Sequence, residues 1–319
     1  MNLFNPFKKG LVLCFSFKKI HKKTEPFNYP SKPVKKVISK SGENLPGLKI
    51  TTGDLLNNPT QFSEYTILFI TEGEGVYHAD FAAFPFTGPV LLFSTPLQVI
   101  YIEQSKPAKL TVLQFHGDFY CIEYHRTEVA CNGLLFNNIY ITPAIKLTNR
   151  DMKIFDQLLS ELVEEFNQAP PSEIVLKAYL QLFLAKSGSI KIKSLSDPQE
   201  QMKKDELMEQ FRQLLDQHYL SLHKPQDYAD LLAMSPNNFT KRCTKYFRKT
   251  PSQLIQERLI LEAKRQLHLT RLSIKEIAYS LKFNDEFYFS RFFKKMTKVS
   301  PLTFRERTGI SIVADLSIQ

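Results

Sequence analysis

The stretch YADLLAMSPNNFTKRCTKYFRKTPS, Tyr228–Ser252, returns as IAYSLKFNDEFYFSRFFKKMTKVSPL, Ile277–Leu302. Ala229, Leu232 and Met234 pair with Ala278, Leu281 and Phe283 at an offset of 49. After one extra residue in the second turn, Ser235, Phe239, Cys243, Tyr246 and Pro251 pair with Asp285, Phe289, Phe293, Met296 and Pro301 at an offset of 50. An internal repeat is read before anything else, because each copy must be one supersecondary unit. Here each copy reads as helix, turn, helix. The small residue, Ala229 or Ala278, lets the first helix approach the second closely, and the apolar residue after it closes the turn. Ser235 or Asp285 then stands where an N-cap accepts hydrogen bonds from free backbone N–H groups. Ser273 with Glu276 is a capping-box pattern. Thr250-Pro251 and Ser300-Pro301 each supply a cap followed by proline at the first helical position.

On a helical wheel of 100° per residue, Phe239, Cys243 and Tyr246 face one side of the first unit's second helix. Asn237, Thr240, Lys241 and Thr244 face the other side. In the second unit Phe289, Phe292, Phe293 and Met296 face inward, while Phe287, Ser290, Arg291 and Lys294 face outward. The outward faces occupy the same four repeat positions. Apart from Phe287 they hold residue types suited to base edges and phosphates. Phe287 suits a thymine methyl or sugar as well as it suits a half-buried rim position. Between the units, Pro251–Leu269 reads as one helix about 28 Å long at 1.5 Å per residue. That is close to the spacing of about 34 Å between successive major grooves on one face of DNA.

Outward from the repeat, further helices are predicted at about 205–220, 226–233, 236–247, 274–281, 286–296 and 301–307. Upstream, residues 186–204 are polar, with Gly, Ser and Pro, and read as a linker. Before them, Met152, Phe155, Leu158, Leu159, Leu162, Val163 and Phe166 recur with helical period, Pro170 and Pro171 stop that helix, and a second follows at about Ser172–Ala185. Residues 50–145 carry β-branched and aromatic runs at Tyr65–Thr71, Gly75–Asp80, Pro89–Ser94, Leu97–Glu103 and Lys109–His116, separated by turn residues as in a small barrel or sandwich.

Charge follows the same division. The net charge of +10 concentrates in residues 1–40, with ten lysines against one acid, and in residues 201–308, with 21 bases against 12 acids. Residues 41–200 hold 11 bases against 18 acids, a division that fits a nucleic-acid module joined to one that does not touch nucleic acid, and equally fits solvated surface lysines. Cys14, Cys121, Cys131 and Cys243 form no C-x-x-C pair, which argues against a zinc site or disulfide framework and points to a reducing cytoplasm. Apolar runs are too short for a transmembrane helix. Gly10–Phe17 is short for a signal peptide and is followed by lysines where a cleavage site would need small residues. His78, His116 and His125 lack the spacing of a metal site, so no metal or cofactor is expected. Phe69, Tyr77, Phe93 and Tyr101 read as barrel core rather than pocket lining.

The segment RLILEAKRQLHLTRLSIKEIAYSLKFNDEFYFSRFFKKMTKVSPLTFR, Arg258–Arg305, resembles the signature of the AraC/XylS family of transcription regulators. The resemblance is close over 205–308, looser over 50–185, and does not cover 1–40. It implies an α+β chain: an N-terminal cupin-like small β-barrel with two helices, then an all-α domain with two helix-turn-helix units joined by a long helix. Together with the composition, it divides the chain into a basic, poorly ordered leader (1–45), read from composition alone, a sensor and dimerisation domain (46–190), a linker (191–204), the DNA-binding domain (205–308) and a tail (309–319). It also implies that each second helix enters the major groove of double-stranded DNA. The matching positions are Asn237, Asn238, Thr240 and Lys241 in the first unit and Glu286, Phe287, Tyr288, Ser290 and Arg291 in the second, with Thr244 added from the wheel and Lys245, Lys294 and Lys295 on phosphates. A small effector in the N-terminal domain, a homodimer through 150–168 and RNA polymerase are the further partners implied, with no membrane and no catalysis. A non-specific nucleoid-type protein, or a cupin enzyme fused to a DNA-binding module, would share the composition. The chain departs from the family in having Lys282, Arg248 and Lys298 where glycine is frequent, at a cost of about 1 kcal/mol wherever φ is positive.

Overall fold

A computed structural model describes residues 35–38, 46–52, 56–80, 82–120, 134–136, 138–196 and 205–310. The expectations for residues 1–34, the tail from 311, His125, and Cys14, Cys121 and Cys131 lie outside these residues. The architecture is α+β. Eight strands form one antiparallel sheet: β1 (Lys35–Ile38), β2 (Pro46–Thr52), β3 (Thr60–Gln61), β4 (Tyr65–Ala79), β5 (Ala82–Thr87), β6 (Val90–Ser94), β7 (Val99–Phe115) and β8 (Ala144–Lys146). The main order is β1-β2-β7-β4-β6-β8, with β3 added on β7 and β5 on β4.

Two long strands replace four predicted short ones. Tyr65–Thr71 and Gly75–Asp80 join into β4, and the runs at Leu97–Glu103 and Lys109–His116 join into β7. The intervening Gly73, Gly75 and Pro107 are turn signals, but here they mark register shifts in the β4–β7 ladder. Gly73 sits at φ +115°, with Pro107 O and Ala108 Cα within 2.7 Å of where a Cβ would be, so no side chain fits. The sheet folds over itself: Leu68, Ile70, Leu92 and Val112 share a core with Tyr77, Ile100 and Ile102. The opposite face carries Ile67, Phe69, Phe93, Leu113 and Phe115 under two helices. With both faces covered, Tyr65–Ile70 is buried at every residue.

Those helices are α1 (Asn149–Phe166) and α2 (Glu173–Leu195). The apolar face of α1 is spent inside the chain. Leu158 and Leu162 are 8% and 0% exposed against the sheet and α2, so the expected seam through 150–168 is not available on this face. The second helix continues ten residues beyond the predicted Ala185. Ser187 and Gly188, which read as linker, are buried, and their small size permits close packing. Lys191 is buried beside them. Its Nζ donates to Thr142 O and Ala144 O at 2.8 and 2.9 Å, and burial pushes its pKa down to about 8.

Seven helices follow: α3 (Glu206–His218), α4 (Pro225–Leu231), α5 (Pro236–Phe247), α6 (Pro251–Leu269), α7 (Ile274–Ser280), α8 (Glu286–Thr297) and α9 (Pro301–Thr308). They build two cores strung along α6. Its N-terminal half, Leu254, Ile255 and Leu259, packs with Tyr228, Ala229, Phe239 and Cys243, and with Phe211 of α3. Its C-terminal half, Ile260, Ala263 and Leu267, packs with Ile277, Ala278, Phe289 and Phe293, and with Phe304 of α9.

Hydrogen bonds tie the sheet and the segment before β8 to the helices and the turn between α5 and α6. Gln61 Nε2 donates to Thr297 O at the end of α8, and Lys249 Nζ donates to Ile139 O. His116 is buried; its Nδ1 accepts from Asp118 N, which leaves Nε2–H to donate to Thr308 O at 2.9 Å. His78 stacks on Tyr101 at 4.1 Å. Both histidines therefore have structural partners. Among the described residues no cluster of His, Cys, Asp and Glu has the makings of a metal site, and no helix is long and apolar enough to cross a membrane.

Candidate nucleic-acid interface

The two helix-turn-helix units repeat each other bond for bond at the turn. Leu232 N donates to Tyr228 O, Ala233 N to Asp230 O and Met234 N to Ala229 O. Forty-nine residues later Leu281 N donates to Ile277 O, Lys282 N to Tyr279 O and Phe283 N to Ala278 O. Ala233 and Lys282 both occupy the left-handed region, at φ +51° and +63°. The ends of the second helices match as well: Arg248 and Lys298 stand at φ +57° and +69°. Glycine is thus missing at the left-handed positions, and each side chain there adds strain of about 1 kcal/mol.

Caps fix where α5 and α8 begin, and here the units differ. Asp285 accepts hydrogen bonds from Phe287 N and Tyr288 N, as expected of an N-cap. Ser235 holds the equivalent place with extended backbone, but its side chain makes no capping bond. Pro236 at the first position has no N–H to satisfy, and its fixed φ starts the helix without the serine hydroxyl. The capping boxes at Thr250–Gln253 and Ser273–Glu276 are complete, and Ser300 caps α9.

The wheel assignment of inward and outward faces agrees with the burial. In α5, Phe239 and Cys243 are buried, Tyr246 is half-buried with its hydroxyl donating to Glu209, and Phe247 closes the core in addition. Burial pushes the Cys243 thiol up to about 12, which makes it a core residue and an unreactive one. In α8, Phe289, Phe293 and Met296 are buried, with Phe292 half-buried. The outward sets are exposed: Asn237, Asn238, Thr240, Lys241, Thr244 and Lys245 on α5, and Phe287, Tyr288, Arg291, Lys294 and Lys295 on α8. Glu286 and Ser290 are half-buried.

Phe287 is 72% and Tyr288 58% exposed. Two adjacent aromatics at a helix N-terminus, uncovered to this degree, are what a face needs if it is to stack on sugars or meet thymine methyls. The rim alternative for Phe287 would have hidden more of it. Asn284, before the Asp285 cap, and Pro236, the first residue of α5, are also exposed.

Residues 228–307, from α4 to α9, match the family model of a helix-turn-helix domain. Over 84% of this chain and 99% of the other, the protein is similar to ToxT from Vibrio cholerae with an unsaturated fatty acid bound, at 18% identity and a TM-score of 0.35. Its C-terminal third is similar to the C-terminal domain of AraT, a response regulator from Geobacillus stearothermophilus, at 26% identity and a TM-score of 0.33 over 34% of this chain and 92% of that one. It is also similar to the DNA-binding domain of the global transcriptional factor AdpA, solved with a target DNA, at 23% identity and a TM-score of 0.30 over 32% and 92%. No curated protein matches.

Proposed function

We propose that the chain is a transcription regulator of the AraC/XylS type that reads a specific DNA sequence through two recognition helices, α5 and α8, within the 228–307 segment that matches a helix-turn-helix domain. The observation that carries this reading is the duplicated exposed face. Eleven of the thirteen side chains singled out on the two helices are exposed, although the opposite side of each helix is solid core. Asn237 has the donor–acceptor pair for adenine and Arg291 the fork for guanine. Lys245, Lys294 and Lys295 neutralise phosphates, which positions the protein without specifying sequence. The helix α6 is the spacer, at about 28 Å for 19 residues. The chain acts where DNA is, in the cytoplasm.

A small effector fits the same reading. A cleft of about 420 Å³ opens between the sheet and the helices, lined among others by Tyr65, Tyr140, Arg212, Arg258, Lys264 and His268. Arg258 and Arg265 are paired there with Asp216 and Glu262, and Arg212 with Glu209, so the charge of the lining does not select the occupant. An occupant there would touch both the sheet and α6, and so bear on how the two units are held.

Selection of bound fragments from genomic DNA by the full chain tests the proposal, followed by titration with excess unrelated competitor. A shared motif with two segments about one helical turn apart, surviving competitor, is expected. Binding with a steep salt dependence, no shared motif and full loss to competitor would instead identify a non-specific nucleoid-type protein.

A further inference from the structure

Two half-buried side chains on α5, Arg242 and Tyr246, belong neither to its core face nor to its exposed face. They lie four residues apart, so they share one flank of the helix. Both are held by carboxylates of α3. Arg242 Nε donates to Asp205 Oδ2, and the Tyr246 hydroxyl donates to Glu209 Oε1 at 3.0 Å. Each pair is separated by 37 residues, so the two rungs fix α3 and α5 in one register. Asp205 does two jobs at once. Its Oδ1 accepts from Met208 N and caps α3, while its Oδ2 takes Arg242. Burial works to raise the Asp205 carboxyl, but the bonds from Arg242 and the Met208 amide outweigh it and hold the group below the usual carboxylate range. Glu209 is held in turn by Arg212 at 2.9 Å. The second unit is seated differently. Fifty residues on, the places of Arg242 and Tyr246 are taken by Phe292 and Met296, which pack on the apolar core of that unit.

We propose that Arg242 is a positioning residue for the recognition helix α5, and that Asp205 and Glu209 of α3 clamp that helix in the register its base contacts require. The inference rests on the proposed reading of DNA by α5. A basic residue beside Lys241 on such a helix reads at first as a phosphate contact, but the charge of Arg242 is already matched by Asp205. A carboxylate near DNA repels phosphates, so Asp205 earns its place by geometry rather than by attraction. Apolar ridges tolerate a small slide, whereas hydrogen bonds do not. Asn237 and Thr240 must meet base edges at hydrogen-bonding distance, and a slide of α5 by about 1 Å breaks such contacts.

Two measurements on the full chain test the clamp. The first needs no DNA. In Asp205→Asn, which keeps a capping oxygen for α3, and in Arg242→Met, the backbone amides of α5 should exchange with deuterium about fivefold faster than in wild type, while those of α8 keep their wild-type rates. Unchanged exchange in α5 overturns the clamp, whatever the chain does with DNA. The second is anisotropy titration with a selected fragment over a range of salt. Asp205→Asn should weaken binding about fivefold although it removes a negative charge, Arg242→Met should weaken it equally, and the double variant should be no worse than either. The salt slope should stay at the wild-type value in all three. Tighter binding by Asp205→Asn, or a slope lowered by about 1 in Arg242→Met, would overturn the proposal and make Arg242 a phosphate contact. A wild type that selects no motif would instead refute the DNA reading, and amide exchange alone would then decide whether α3 clamps α5.

Discussion

The two helix-turn-helix units share a scaffold and differ in what they display. Their turns make the same three hydrogen bonds, place non-glycine residues at the same left-handed positions, and bury Phe239 and Phe289 at the same depth. Their outward faces have diverged. The first presents Asn237, Asn238, Thr240 and Lys241, side chains that hydrogen-bond. The second presents Phe287, Tyr288 and Arg291, two aromatic surfaces and a bidentate fork. Packing constrains the inner half of each repeat, because a changed core side chain costs stability whatever DNA is bound. In the proposed reading the outer half answers only to DNA, and a duplicated fold would keep one architecture while its two copies read different sequences.

That comparison can be broken most sharply in the shared half. Phe239→Ala and Phe289→Ala occupy equivalent, fully buried positions, and each should cost about 3–5 kcal/mol in denaturant unfolding. A marked inequality between them would mean that the cores are not equivalent. In the divergent half, Arg291→Ala should lose about 1–3 kcal/mol of binding and relax base preference at one position of the selected motif. Lys241→Ala, at the matching repeat position, removes a point charge rather than a fork, and a smaller loss spread evenly over sequences is expected in the same anisotropy titrations. The caps offer a finer contrast. Asp285→Ala removes two hydrogen bonds and should cost about 1 kcal/mol of stability, whereas Ser235→Ala should be neutral because that hydroxyl caps nothing. The smallest effect is a gain: Arg248→Gly and Lys298→Gly relieve left-handed strain and should each add up to about 1 kcal/mol, partly offset by glycine's chain entropy.

The sequence was most legible where punctuation and period coincide. The bounds of α5 and α6 were read to the residue, because proline at the first position and the residue before it define each start. The exposed faces of α5 and α8 were readable for the same reason: a strongly apolar stripe on a helix defines its own back. Legibility failed where a residue's role depends on distant partners. Gly73 and Pro107 carry the local signature of turns, yet sit at register shifts inside two long strands that pair with each other throughout. Ser187 and Gly188 read as linker and are instead the close-packed part of α2. The bonds joining sheet to helices were invisible, since Gln61, Lys249 and His116 all donate to backbone carbonyls, which carry no residue identity. The apolar face of α1 was legible as apolar, but the sequence left open whether a second copy or the chain's own sheet would cover it, and the sheet does.

Guanine-methylation interference on a selected fragment bound by the full chain tests the central claim most directly, because it reports which major-groove faces are occupied. Two clusters of interference about 10 base pairs apart on one face of the duplex are expected for each recognition pair, with Arg291→Ala erasing a contact in one cluster and leaving the other intact. A single cluster, or one that Arg291→Ala and Asn237→Ala erase alike, would contradict the account of two units reading consecutive grooves.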